Sequence, residues 1–207
     1  MDLSTYSGLQ TAIADYMGRP GDSIITSNTV GLIQLFEAKV RRNFRHLPMS
    51  ITTILPVTGQ FVSLPPGFLE IRSIFITSSP SVPLRFIGQD AIQTLYDDSQ
   101  LGRPQYYTID NGQIQFAPTP SGAFSAQIAY YAFTPLSATN TSNWLLAGYP
   151  DLYLYGSLRE SSAYVSDEGS AAGWDRAYNQ AYAELERSDS RARLGPSASM
   201  RPSCSTP

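Results

Sequence analysis

At 207 residues the chain can bury one sizeable core or two small ones; its 42% hydrophobic content supplies the material, and its 15% charged content is a thinner coat than the usual quarter. A net charge of -3 argues against a basic nucleic-acid-binding module, whose affinity comes from lysines and arginines neutralising phosphates. A surface so sparsely charged is expected to be covered in part by a partner.

Helical periodicity runs to about His46, a Pro/Gly/Thr/Ser-rich stretch to about Asn140, and helical periodicity again to about Arg193, so helices bracket strands. Tyr6, Leu9, Ile13 and Tyr16 or Met17 give the first helix its stripe; Ser4 or Thr5 caps it, and Gly18 and Pro20 stop it. A second helix is predicted from about Asn28 to Arg45, with Val30, Ile33, Phe36 or Glu37, Val40 and Phe44 on its apolar face. Lys39, Arg41, Arg42 and Arg45 crowd its end. Cations there suit the helix dipole, so capping and a solvated face explain the cluster; contact with DNA or an acidic partner is the sharper alternative.

The middle reads as short strands: ITTIL, QFVSL, FLEIRSIFI with Phe68 or Leu69, Ile71, Ile74 and Ile76 as core candidates, and PLRFI. A short helix opens at Gln89 or Asp90 and runs through Ala91, Ile92, Leu95 and Tyr96. In YYTIDNGQIQFAP, the pair Asn111-Gly112 predicts a hairpin with a type I′ turn, which needs positive φ at both central residues. AFSAQIAYYAFTP supplies a long strand with Phe124, Ala126, Ile128 and Tyr130 on one face and Tyr131 and Phe133 on the other, as if covered on both sides. Asn143 then caps a turn ending near Gly148, and Pro150 and Asp151 open the tyrosine-rich helix of GYPDLYLYGSLRESSAY. A last helix is predicted from Ser166, with Asp167 and Glu168 in its first turn, through Trp174, Ala177, Tyr178, Ala181, Tyr182 and Leu185. Gly156, Gly169 and Gly173 are poor helix formers whose small size allows close helix packing. The tail after Gly195 has almost nothing to bury and reads as an inert end or an arm that orders on a partner.

Catalytic chemistry is hard to place. His46, the single histidine, sits before Leu47 and Pro48 at a helix exit and reads as a cap or linker. Lys39, the single lysine, lies on a helix without the preceding glycines of a phosphate loop. The adjacent carboxylates Asp97 and Asp98 have no His or Cys to complete a metal site, and IDNGQ fits a hairpin better than a calcium loop. No cofactor is expected. Acids or a serine from separate segments could still build a glycosidase or esterase site. Cys204 has no intramolecular partner, so packing must hold the fold. MDLSTYSGLQ lacks a basic run followed by an apolar one, and no apolar run nears the roughly 20 residues that span a bilayer, so we expect a soluble chain made in a cytoplasm, without membrane association. Arginine, which supplies nearly all the positive charge, suits ion pairs across subunits, and a coding bias explains it equally well.

The order of LQTAIADYMGRP, LIQLFEAKVRRNFR, SLPPGFLEIRSIFI, NWLLAGYPDLYLYGSLRESSAYV and WDRAYNQAYAELERSDSRAR, over residues 3 to 194, resembles the head-to-tail adaptor (connector) proteins of tailed bacteriophages. The likeness is to the group that includes the tail tubular adaptors of short-tailed phages. That resemblance implies an α+β fold: a helical bundle from residues 1–47 and 141–194, an inserted antiparallel β-sandwich-like domain over 48–140, and a C-terminal arm over 195–207. It implies a structural virion protein in the neck, one of a ring of generally twelve copies joining the portal protein to the tail nozzle or tail tube protein. Double-stranded DNA would pass through its channel without specific binding. On this reading Tyr153, Tyr155, Arg159, Tyr164, Trp174, Tyr178, Arg191 and Arg193 are candidates for subunit or portal contacts, and Arg41, Arg42 and Arg45 for the DNA channel or a partner. The family carries no catalytic or metal-binding residues. The other reading is a minor tail-associated module whose β domain binds a glycan or peptide.

Overall fold

Capping residues and turn chemistry set most element boundaries of the computed structural model, which describes residues 2–18, 23–77, 81–96, 100–161 and 168–194. The fold is mixed α+β. It divides into two compact units, Met1–Pro48 with Thr134–Pro207, and Met49–Phe133.

In the first unit, helix α1 (Tyr6–Tyr16) is capped by the Thr5 side chain, which accepts from the Gly8 N–H, and it buries Leu9, Ala12, Ile13 and Ala14. Helix α2 (Ser23–Asn43) begins five residues before the predicted Asn28. Leu32, Ile33, Phe36, Glu37 and Val40 are buried along it. After the chain returns, Asn143 caps helix α4 (Trp144–Gly148) by accepting from the Leu146 N–H, and Pro150 stands in the first turn of α5 (Pro150–Glu160). Helix α6 (Glu168–Leu194) runs 27 residues, about 40 Å at 1.5 Å per residue. The predicted start of this last helix at Ser166 and Asp167 lies outside the described residues.

Helix α5 packs against α1, α2, α4 and α6. Its buried residues, Leu152, Tyr153, Leu154, Gly156, Ser157 and Leu158, cover more of its circumference than one stripe, and the side carrying Asp151, Tyr155 and Arg159 is left to solvent in whole or part. Gly156 makes the α2 approach possible: a Cβ there would stand 2.3 Å from Phe36 Cε2.

Among the described residues the second unit holds ten strands, β1 (Ser50–Val57), β2 (Phe61–Ser63), β3 (Phe68–Ile76), β4 (Val82–Pro83), β5 (Arg85–Phe86), β6 (Leu101–Gly102), β7 (Tyr106–Asp110), β8 (Gln113–Ala117), β9 (Thr119–Pro120) and β10 (Phe124–Ala132), plus helix α3 (Gln89–Leu95). One four-stranded sheet runs β1-β10-β3-β4, the other β2-β8-β7-β5, and β6 pairs with β9. The pairing is antiparallel except for two short parallel contacts, β5 with β7 and β6 with β9. The predicted PLRFI strand is split: Val82 and Pro83 pair with β3 in one sheet, Arg85 and Phe86 with β7 in the other.

A single apolar cluster takes Val57, Ile74, Ile76, Ala126 and Ile128 from the first sheet and Tyr107, Ile114 and Phe116 from the second. The hairpin forms as predicted: Asn111 (φ 46°) and Gly112 (φ 73°) join β7 to β8. In β10 the register against β3 shifts at Ala129/Tyr130 and again at Tyr131/Ala132, which breaks strict alternation and lets both tyrosines bury. The exposed Ser125 and Gln127 show that the second face is covered only near the strand's end, where the Arg72 guanidinium lies 5.5 Å from the Tyr131 ring centroid.

Candidate functional site

The first unit is organised around Glu37, a carboxylate only 3% exposed. It sits on α2 at a position the periodicity assigned to Phe36 or Glu37, and both are buried. The Tyr153 hydroxyl of α5 donates to Glu37 Oε1, and the Leu136 N–H donates to the same oxygen at 2.7 Å. Asn143, the α4 cap, donates its amide to the Thr134 carbonyl at 3.0 Å. Burial pushes the Glu37 pKa up, partly opposed by these donors and by Arg41. Tyr153 is pushed far up, first by burial and then by the Glu37 charge. The pair therefore acts as a polar latch joining α2, α5 and the returning chain. Its partners are 116 and 99 residues apart in sequence, so no local pattern could reveal it.

Around the latch runs a ladder of rings. Phe36 meets Tyr153 edge-on at 5.2 Å and Tyr178 at 6.2 Å; Tyr178 stacks on Tyr182 at 6.2 Å; Tyr182 meets Phe44, which meets His46 at 5.3 Å. Such pairs add roughly 0.5–1.5 kcal/mol each beyond their area. His46 is 7% exposed among these rings, with Nδ1 3.5 Å from Asp189 Oδ2. Asp189 accepts the Leu47 N–H and pairs with Arg193 at 2.6 Å. Burial works to raise the Asp189 pKa, but Leu47, Arg193 and His46 together hold it below the usual value. The histidine is thus a packing residue at the α2 exit, fastened to the end of α6, and not a base presented in a cleft.

The candidate interface residues separate into inner and outer sets. Tyr153 is wholly buried, and Trp174 is 8% exposed. Burial explains why neither offers a surface to a partner: both serve the core of their own unit. Tyr155 is half-buried against Tyr16, and Tyr178 is half-buried beneath Arg159, whose guanidinium lies 5.0 Å from the ring centroid and pairs with Asp175 at 2.6 Å. Arg191 and Arg193 are exposed on the last turn of α6, and Arg193 also donates to the Arg45 carbonyl. Arg41 and Arg42 are exposed, whereas Arg45 turns back and donates to the carbonyls of Arg41 and Phe44, which is helix capping. Tyr164 lies outside the described residues. Lys39 pairs with Glu160 at 2.6 Å, tying α2 to α5. In the β unit, large apolar side chains stand exposed: Ile51 and Ile54 on the edge strand β1, Phe61 on the edge strand β2, and Phe86 and Leu101.

Among the described residues no group of three or more His, Cys, Asp and Glu side chains could hold a metal ion. No described helix is long and apolar enough to cross a membrane. The family model described as SU10 adaptor protein matches residues 4–201. This chain belongs to the SU10 adaptor protein family. No curated protein matches it. Membership makes it a structural phage adaptor protein rather than a known type of enzyme, and the SU10 adaptor family implies a place in the virion neck, oligomerisation, and interaction with portal and tail components.

Proposed function

We propose that copies of this SU10 adaptor chain close into a ring of twelve that joins the portal of the phage head to the tail nozzle or tube, seals the junction and leaves a channel for DNA. The family match over nearly the whole chain carries this reading. In it the helices of the first unit form a bundle, and the two sheets of the second form a sandwich-like domain inserted between its halves. The arm after Gly195 reaches a partner. The exposed Arg41 and Arg42 at the end of α2, and Tyr155, Arg159, Arg191 and Arg193 on α5 and α6, are the helical surface offered to the channel, portal or neighbouring subunits. Support is physical as well: a net charge of -3 suits a passage that DNA must slide through, since a basic lining would hold phosphates. Arginine and tyrosine are also enriched at protein interfaces.

The test is cryo-electron microscopy of particles carrying a tagged copy of this chain. A ring of twelve between portal and tail is the expected result. Tagged protein at the fibres or baseplate, away from the portal, would overturn the reading. Deleting residues 195–207 is expected to weaken portal binding; unchanged binding would remove the arm from the proposal and leave the adaptor role in place.

A further inference from the structure

Helix α6 outruns the bundle that covers it. Its inward stripe, Trp174, Tyr178, Ala181 and Leu185, recurs at helical spacing and ends on a leucine only 1% exposed. Ser188 and Ala192 continue the same spacing, yet both are exposed. Together with Leu47, Pro48 and Tyr149 they border a groove of about 210 Å³, all of it in the first unit. Asp189 lines it too, but its carboxylate already accepts the Leu47 N–H and pairs with Arg193, so the groove offers shape and apolar surface and not a free charge. A small depression walled by leucine, proline, alanine and a tyrosine ring suits one apolar side chain better than a whole helix or strand.

The sequence that follows supplies such a side chain. Residues 195–207 begin three positions after Ala192, and Met200 is the single large apolar residue among them. Gly195-Pro196 is the residue order at which helices stop and chains turn, because glycine accepts the left-handed conformation and proline cannot extend a helix. Five extended steps from Gly195 to Met200 reach about 17 Å, whereas the way back along α6 from Leu194 to Leu185 is about 14 Å. Methionine, unbranched and polarizable, fills irregular apolar gaps. We propose that in the free subunit residues 195–207 fold back on their own α6 and seat Met200 in the groove between Leu47, Tyr149, Ser188 and Ala192. A tethered segment meets the groove at an effective concentration on the order of millimolar, so a weak apolar contact holds it. The docked tail is withheld from other proteins until a partner draws Met200 out. Its part as a guard on the arm rests on the adaptor reading above; the docking itself does not.

Disulfide trapping in the full-length chain tests it. Cys204 is the single cysteine, so Cys204→Ser clears the background, and Met200→Cys is then combined with Ser188→Cys in the groove or with Arg176→Cys as control. Arg176 is exposed on α6 about 27 Å from Leu194, outside the reach of residue 200. Thermal midpoints check folding, and non-reducing gels with mass spectrometry separate disulfides within one chain from those between two. The Ser188→Cys pair is expected to close within one chain about tenfold or more faster than the control, at a rate that dilution leaves unchanged. Equal rates for the two pairs would overturn the docking. Disulfides that join two chains and fade on dilution would overturn it as well and give the groove to the tail of another copy. The guard is read from the groove side: Ala192→Lys, which blocks the seat and leaves the tail intact, is expected to speed binding to purified portal-bearing heads severalfold, and an unchanged rate would overturn the guard. A trapped intrachain disulfide in a chain whose wild type never binds such heads would sink the adaptor reading and leave the docking in place.

Discussion

The helical unit places a carboxylate hydrogen-bonded to a tyrosine hydroxyl at its centre, whereas the core cluster of the β unit is aliphatic and aromatic and contains no ionised group. The β unit is one continuous stretch, Met49–Phe133, and the backbone ladders of its sheets set register. The helical unit is assembled from two pieces far apart in sequence. Helices have no ladder between them, so directional bonds such as Tyr153 to Glu37, Leu136 to Glu37 and Leu47 to Asp189 fix how the pieces meet. Buried polar groups of this kind specify an arrangement more than they stabilise it, because desolvation offsets much of their attraction. The difference teaches that one unit is held chiefly by burial and the other by burial plus specific latches.

That contrast can be broken at several points. Phe116→Ala in the β core, at a residue 0% exposed, should cost about 3–5 kcal/mol in urea denaturation, the sum of lost transfer energy and a cavity. Glu37→Leu should cost about 2–4 kcal/mol, more than its small change in volume would suggest, because it strands the Tyr153 hydroxyl and the Leu136 N–H. Little loss in that variant would show that the latch is dispensable. Gly156→Ala should cost about 1–3 kcal/mol, since the new methyl displaces the Phe36 ring. Arg159→Ala, which removes an exposed pair with Asp175 and a ring contact, should cost less than about 1 kcal/mol.

Acid titration sharpens the same comparison through opposite signs. The Glu37 pKa is raised in the folded chain, chiefly by burial, so the folded state keeps a proton that the unfolded state has lost; stability relative to Glu37→Gln should fall as pH rises above 4.5. Asp189 is lowered, so stability relative to Asp189→Asn should be full above 3.8 and fall as pH drops below it. Parallel slopes for the two variants would contradict these assignments.

Local chemistry was legible and long-range chemistry was not. Thr5, Asn143 and Pro150 mark helix starts in the sequence and in the structure, and Asn111-Gly112 marks the hairpin, because each acts within a few residues. The division of PLRFI between two sheets depends on partners in β3 and β7, which periodicity does not encode. The tyrosine-rich helix was legible as a helix, but its place at the centre of four others was not. Tyr153 therefore reads as a surface anchor until Glu37 is seen beneath its hydroxyl.

The separation of Glu37 from Tyr153 by 116 residues also sets an order of events on the ribosome. At roughly 5–20 residues per second, Glu37 is synthesised about 6–23 s before the tyrosine that satisfies it. During that interval the intervening β stretch can pair its own strands, while the leading helices expose Phe36, Val40 and an unlatched carboxylate to whatever holdase or sister chain is nearby. Slowing translation after residue 133 would lengthen that exposure, so the yield of assembled protein should be more sensitive to pauses there than to pauses within the first 48 codons.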